Sequence, residues 1–169
     1  MSVILFDWSG TLSNFRKKDL LNGKKVINEK LTPLLQGNRI GIISNTSKNA
    51  EELINAVQNE FERVKLQVEI QVYNTLFQNG DLFRKPSPWM IWYALYKMNI
   101  QDYSKVVFVG DKESDKLAAQ AARVEFIYIK NFKPPKSASK KGFLKCKCKS
   151  GGKCCCGPKC KCKNCPCKK

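Results

Sequence analysis

The chain contains no histidine. That removes the commonest general base and the commonest nitrogen ligand for a metal, so a His-based triad or a His-bearing zinc finger is excluded. Residues 1–145 contain no cysteine either, because all nine fall between Cys146 and Cys167. The body is therefore not a small core stapled by disulfides. No apolar run approaches the ~20 residues that span a bilayer. Val3–Phe6 is also too short for the apolar segment of a secretory signal and runs straight into Asp7. The expectation is a soluble protein of a reducing compartment, cytoplasmic or nuclear. Acidic residues are missing from one end: residues 133–169 hold 13 Lys and no Asp or Glu. The chain's net charge of +17 belongs mostly to that end, since the rest has 18 basic residues against 14 acidic ones.

What is present is ordered. Five short runs, Val3–Phe6, Arg39–Ser44, Val68–Tyr73, Val106–Gly110 and Glu125–Ile129, are apolar and rich in β-branched residues, and they predict strands. Helical patterns alternate with them over Val26–Leu35, Lys48–Val64, Ser87–Met98 and Lys116–Ala122. Ser47 is read as the cap of the second pattern, and Ser87 with Pro88 as the start of the third. Alternation of this kind predicts an α/β fold, with about five parallel strands and helices on both faces. In such sheets ligands collect at the carboxyl ends of the strands.

Four fragments lie at those ends: FDWSGTL (Phe6–Leu12), IISNTS (Ile42–Ser47), RKPSP (Arg84–Pro88) and VGDKESD (Val109–Asp115). Asp7 at a strand end is a candidate nucleophile for phosphorus, and Gly10 and Thr11 let the backbone turn close to a phosphate. Ser44, with Asn45 beside it, can hold phosphoryl oxygens. Lys85 supplies a neutralising ammonium. Asp111 and Asp115, four residues apart, suit Mg²⁺. Read singly, each has a plainer meaning: a turn at Asp7, a cap at Ser44–Asn45, a solvated charge at Lys85, helix capping by Asp111 and Asp115.

Together and in this order, the fragments resemble motifs I–IV of the haloacid dehalogenase-like superfamily of phosphotransferases, over roughly residues 1–130. The resemblance implies a Rossmann-like core and Mg²⁺ dependence. It implies Asp7 as nucleophile, the Ser9 carbonyl as a metal ligand and Ser44 as a phosphate contact. It also implies Lys85 as the motif III lysine, with Asp111 and Asp115 as Mg²⁺ ligands. The chain departs from the pattern at Ser9, where most phosphatases of the superfamily carry an aspartate acting as general acid and base. A missing general acid costs about 10²–10⁴-fold in rate. Three readings stay open: a leaving group that needs no acid, an acid from elsewhere, or a protein that binds without turnover.

The gaps between the motifs leave no room for a large cap domain. RKPSPWMIW with FVGDKESD is similar to the cap-less branch that includes histidinol-phosphate, heptose-bisphosphate and polynucleotide 3′-phosphatases. The implied substrate is a phosphomonoester, either a small molecule or a nucleic-acid 3′-phosphate. Trp89, Trp92, Tyr93 and Tyr96 are at helical spacing, and packing against the sheet is the expectation for them. Arg16, Lys17 and Lys18 are read as a solvated loop.

Beyond a hydrolase domain over 1–130, residues 131–145 read as a Pro/Ser/Lys-rich linker and 146–169 as a separate tail. The tail carries Cys146, Cys148, Cys154, Cys155, Cys156, Cys160, Cys162, Cys165 and Cys167 among lysines. Its composition resembles a metallothionein cluster domain, which implies Zn²⁺, Cd²⁺ or Cu⁺ held by thiolates. A disordered basic arm whose cysteines are incidental or redox-active is the alternative for the tail. For the whole chain, a catalytically impaired phosphate-binding module is the main rival to phosphatase function, and metal storage or nucleic-acid association led by the tail is a third option. Oligomeric state is not legible.

Overall fold

The computed structural model describes residues 2–13, 20–23, 27, 32–47 and 50–133. These residues fall within one unit, Met1–Pro135. The cysteine tail, most of the linker, and Arg16, Lys17 and Lys18 lie outside the described residues.

Five strands form one parallel sheet: β1 (Val3–Phe6), β2 (Arg39–Ser44), β3 (Ile70–Tyr73), β4 (Val106–Gly110) and β5 (Glu125–Tyr128), in the order β3-β2-β1-β4-β5. The register sets Val3 opposite Arg39 on one side and Val106 on the other. Four described helices accompany the sheet: α1 (Thr32–Leu35), α2 (Ala50–Arg63), α3 (Trp89–Lys97) and α4 (Glu113–Ala122).

Strand periodicity divides the core in two. Ile4 and Phe6 point to one face, where Ile40, Ile42, Leu53, Val57 and Phe61 join them. Val3 and Leu5 point to the other, packing with Ile43, Val72, Ile91, Leu95 and Phe108. Thus α2 covers one face and α3 and α4 the other. Ala118, Ala119 and Ala122 bring α4 close to the sheet because they add almost no side-chain bulk. β1 is buried on both faces, and this explains why its sequence is a continuous apolar run.

Several boundaries differ from the sequence reading. The helix expected over Val26–Leu35 is described only from Thr32, and Ile27 instead forms a bridge with Ser13. α2 is described from Ala50, and residues 48–49 before it lie outside the described residues. α3 starts at Trp89, with Pro88 as a cap that makes no side-chain bond. α4 starts three residues before Lys116, because the Asp115 carboxylate accepts from the backbone N–H groups of Asp111 (3.2 Å) and Lys112 (3.1 Å). At the far end the body's packing runs through Phe132, whose ring meets Phe6 edge-on at 5.6 Å.

Between β1 and β4 the chain order reverses, since β2 and β3 lie to one side and β4 and β5 to the other. Such a switch point opens a crevice at the carboxyl edge of the sheet.

Candidate active site

Asp7 is the first residue past β1, and its N–H donates to Val109 O (2.9 Å), so the β1–β4 ladder runs up to the carboxylate itself. The chain then turns tightly: Gly10 N–H donates to Ser13 O (2.8 Å) and Ser13 N–H to Trp8 O (3.0 Å). Gly10 takes φ +86°, and a Cβ there would lie 2.4 Å from Asp111 Oδ2. No other residue fits, on backbone conformation and on space alike. Gly110 works in the same way by proximity, since a Cβ would meet Asp115 Cβ at 2.6 Å.

The turn brings three carboxylates together. One oxygen each from Asp7, Asp111 and Asp115 lies within 4.8 Å of the others. Into this group reaches Lys85, itself buried. Its Nζ donates to Asp7 Oδ1 (2.6 Å) and to Ile43 O (3.0 Å), and lies 5.5 Å from the Phe108 ring centre. It also makes an ion pair with Asp115 Oδ1 at 2.6 Å, without the alignment of a hydrogen bond. Three carboxylates against one ammonium leave a formal charge of −2 in a largely buried cluster. Asp111 shows the strain, because burial and then the Asp7 charge push its carboxyl above the usual range, with Lys112 opposing. Tyr73, buried at the end of β3, is pushed up by burial and by the Asp7 charge as well.

The donor set fits a hard divalent cation. Asp111 Oδ1 and Asp115 Oδ1 are buried without a hydrogen-bond partner, as is Thr11 Oγ1. A cation of charge +2 would balance the excess charge, and the three carboxylates could hold it.

The structure brings the sequence candidates to one edge. Asp7, Ser9, Gly10 and Thr11 follow β1, Ser44 ends β2, Lys85 precedes α3, and Asp111 and Asp115 follow β4. Ser44 is buried and Ser9 half-buried. Asn45 has both amide atoms on the Lys85 backbone: its Oδ1 accepts from Lys85 N–H (2.9 Å) and its Nδ2 donates to Lys85 O (3.2 Å). This clamp spans 40 residues and fixes the segment that aims the ammonium. Sequence reading missed Asn74, a buried residue whose Oδ1 accepts from Thr46 N–H (2.7 Å) and holds the loop after β2. Its only sequence signal is a polar residue directly after a strand, which is common to many turns.

The fold and this acid-lined strand edge define a class, and the comparisons agree. The family model for haloacid dehalogenase-like hydrolases matches residues 7–129, and the chain belongs to that family. No curated protein matches the chain by sequence. Among solved structures, the chain is similar to D,D-heptose 1.7-bisphosphate phosphatase from B. bronchiseptica, complexed with magnesium and phosphate. The identity is 20%, covering 76% of this chain and 79% of that one, with a TM-score of 0.56. It is also similar to a HAD-superfamily hydrolase of subfamily IA from Geobacter sulfurreducens, at 17% identity, coverage of 76% and 89%, and TM-score 0.52. CbbY from Rhodobacter sphaeroides, in complex with phosphate, shares 14% identity, with coverage of 76% and 86% and TM-score 0.52. At these identities the likeness is one of fold. No helix among the described residues is long and apolar enough to cross a membrane.

Proposed function

We propose that the chain is a Mg²⁺-dependent phosphohydrolase that works through an aspartyl-phosphate on Asp7. The observation that carries this reading is the buried group of Asp7, Asp111 and Asp115 around the Lys85 ammonium. Asp111, Asp115, Asp7 and the Ser9 carbonyl would hold Mg²⁺. When bound, the ion offsets charge on the carboxylates and on phosphoryl oxygens.

An Asp7 oxygen attacks phosphorus, the bond from phosphorus to the ester oxygen breaks, and the leaving group departs with that electron pair. Water then attacks the same phosphorus, the bond to Asp7 breaks, and inorganic phosphate leaves while the carboxylate returns. Lys85 aims Asp7 through its 2.6 Å hydrogen bond and offsets charge beside it. Ser44, Thr11 and backbone N–H groups of the turn after Asp7 hold phosphoryl oxygens. Ser9 contributes no acid near neutral pH, so the leaving oxygen departs unprotonated or takes its proton from water.

The substrate is a phosphomonoester, with a nucleic-acid 3′-phosphate as the form most consistent with an open site and a cationic chain. Two features support the cap-less branch. Only two short 3₁₀ turns, Asn74–Leu76 and Gly80–Phe83, lie between β3 and α3. The segment joining β1 to β2 is also too short for a large domain. The tail cysteines are proposed to bind Zn²⁺, Cd²⁺ or Cu⁺ apart from this chemistry.

The test is hydrolysis across a panel of phosphate esters, with Mg²⁺ and with EDTA, for wild type and Asp7→Asn. Turnover is expected with Mg²⁺ only, and Asp7→Asn is expected to lose it. Undiminished turnover in Asp7→Asn would sink the mechanism. Beryllofluoride binding without hydrolysis of any ester would make the body a phosphate-binding module, the reading that Ser9 favours.

A further inference from the structure

The nine residues of α3, WMIWYALYK, are apolar or aromatic except for the last. One face is used by the sheet: Met90, Ile91, Ala94 and Leu95 are buried, and Trp92 packs partly against them. The remaining rings are not. Trp89 is 54% exposed, Tyr93 39% and Tyr96 79%. At spacings of four and three they form one stripe on the outer side of the helix, about 10 Å long at ~1.5 Å per residue. The packing expected for these rings in the sequence reading holds for Trp92 and fails for the other three, because the sheet covers only half of a short helix.

Ring contacts link the stripe to a groove beside the loop that follows β2. Trp89 lies four residues beyond Lys85 and meets Phe83 edge-on (6.3 Å). Phe83 stacks on Phe77 (4.5 Å), and Phe77 meets Tyr93 (5.2 Å). Phe77 and Arg84 in turn line an open groove of about 400 Å³ with Thr46 and Ser47, just past Ser44. Two cations flank the rings outside the active site. Residues 82–101 contain no acid, and apart from the buried, ion-paired Lys85 they contain Arg84 and Lys97, whose Nζ lies 5.6 Å from the Tyr93 ring centre. Asp81 is the one acid among the groove's lining residues.

We propose that the Trp89–Tyr93–Tyr96 stripe is a stacking platform for single-stranded nucleic acid whose terminal phosphate enters the site. The proposal rests on the phosphomonoesterase reading for the orientation of the strand, though not for its binding. Exposed rings give every base a π face to stack on, and Arg84 and Lys97, set against Asp81 as the one acid lining the groove, favour a polyanion over an acid-bearing apolar protein surface. A small sugar phosphate would use none of the stripe.

The test titrates the full chain with a fluorescein-labelled 12-nucleotide single strand carrying a 3′-phosphate, in EDTA and over a range of salt. Alanine at both Trp89 and Tyr96 is expected to weaken binding by about tenfold per ring. The slope of log K against log salt should not change, because the rings carry no charge and every lysine stays in place. Trp89→Phe with Tyr96→Phe should keep most of the affinity. Tyr96→Ala alone, at the most exposed position, provides the measurement if the double variant fails to fold. Unchanged affinity in the alanine variants overturns the proposal. So does a wild type that self-associates through these rings in sedimentation while strand affinity ignores them, which is the outcome for a protein-facing stripe. Ring-dependent strand binding in a chain that hydrolyses no phosphate ester retains this proposal and removes the phosphatase reading. Hydrolysis of p-nitrophenyl phosphate with ring-independent strand binding does the reverse.

Discussion

Ser9 is where chemistry and family pattern part. The turn around it is built from backbone bonds and Gly10, so a different side chain at position 9 leaves the turn in place. We therefore expect Ser9→Asp to raise turnover of alkyl phosphates by about 10²-fold or more, the range of a general acid, while aryl phosphates gain little. Comparing kcat/KM for the two ester types checks this, and equal gains on both would argue against a missing acid. Asp111 leads to a second expectation. Its carboxyl sits above the ordinary range, so its contribution to stability is present at low pH and is lost as pH rises through its folded value. At neutral pH the metal-free site is thus under repulsion that a bound Mg²⁺ would relieve. Thermal melts should show Mg²⁺ raising Tm, by about 2.7 kcal/mol of stability at 100 times Kd. The gain should shrink as pH falls, because protons compete for the same oxygens. A pH-independent gain would place the ion elsewhere.

At the scale of elements, α2 depends on more than its apolar face. Glu60 is buried in it, accepts from Ile27 N–H (3.0 Å), and holds Arg63 at 2.9 and 2.7 Å. Glu60→Ala would strand the Ile27 N–H and remove both bonds to Arg63, at a cost of about 1–3 kcal/mol. A urea midpoint lower than wild type, with unchanged slope, is the expected readout; no shift would mean that water replaces both bonds. The central strands β1 and β4 were legible because a strand buried between neighbours leaves no polar residue to blur it. Helix ends were less legible. Capping by Asp115 was one reading of the sequence, but the helix it caps starts at Glu113, ahead of Asp115 itself, because its carboxylate reaches back to Lys112 N–H. α3 was legible as a helix but its faces were not, since eight of WMIWYALYK are apolar or aromatic and only the sheet decides which are covered. The site residues were legible as types at strand ends. The Asn45 clamp on Lys85 was not, because it joins segments 40 residues apart.

At the scale of the whole molecule, the 18 basic and 14 acidic residues of 1–132 contrast with the 13 Lys and nine Cys of 133–169. If the tail cysteines hold metal, native mass spectrometry of reduced full-length chain should show about three Zn²⁺ or Cd²⁺, lost on acidification as thiolates take up protons. Residues 1–132 alone should show none of these ions yet keep ester hydrolysis. Equal metal on both forms would locate it in the body.

The sheet order has a consequence for synthesis. β1 is made first but sits at the centre, with Val3 paired to Val106. At roughly 5–20 residues per second, its second neighbour arrives about 5–20 s later. Until then a nascent chain exposes an apolar strand edge, and its Asp7 exists without Asp111 or Asp115. A ribosome stalled before β4 would therefore hold a chain prone to edge-to-edge pairing, with a nucleophile that has nothing to work with.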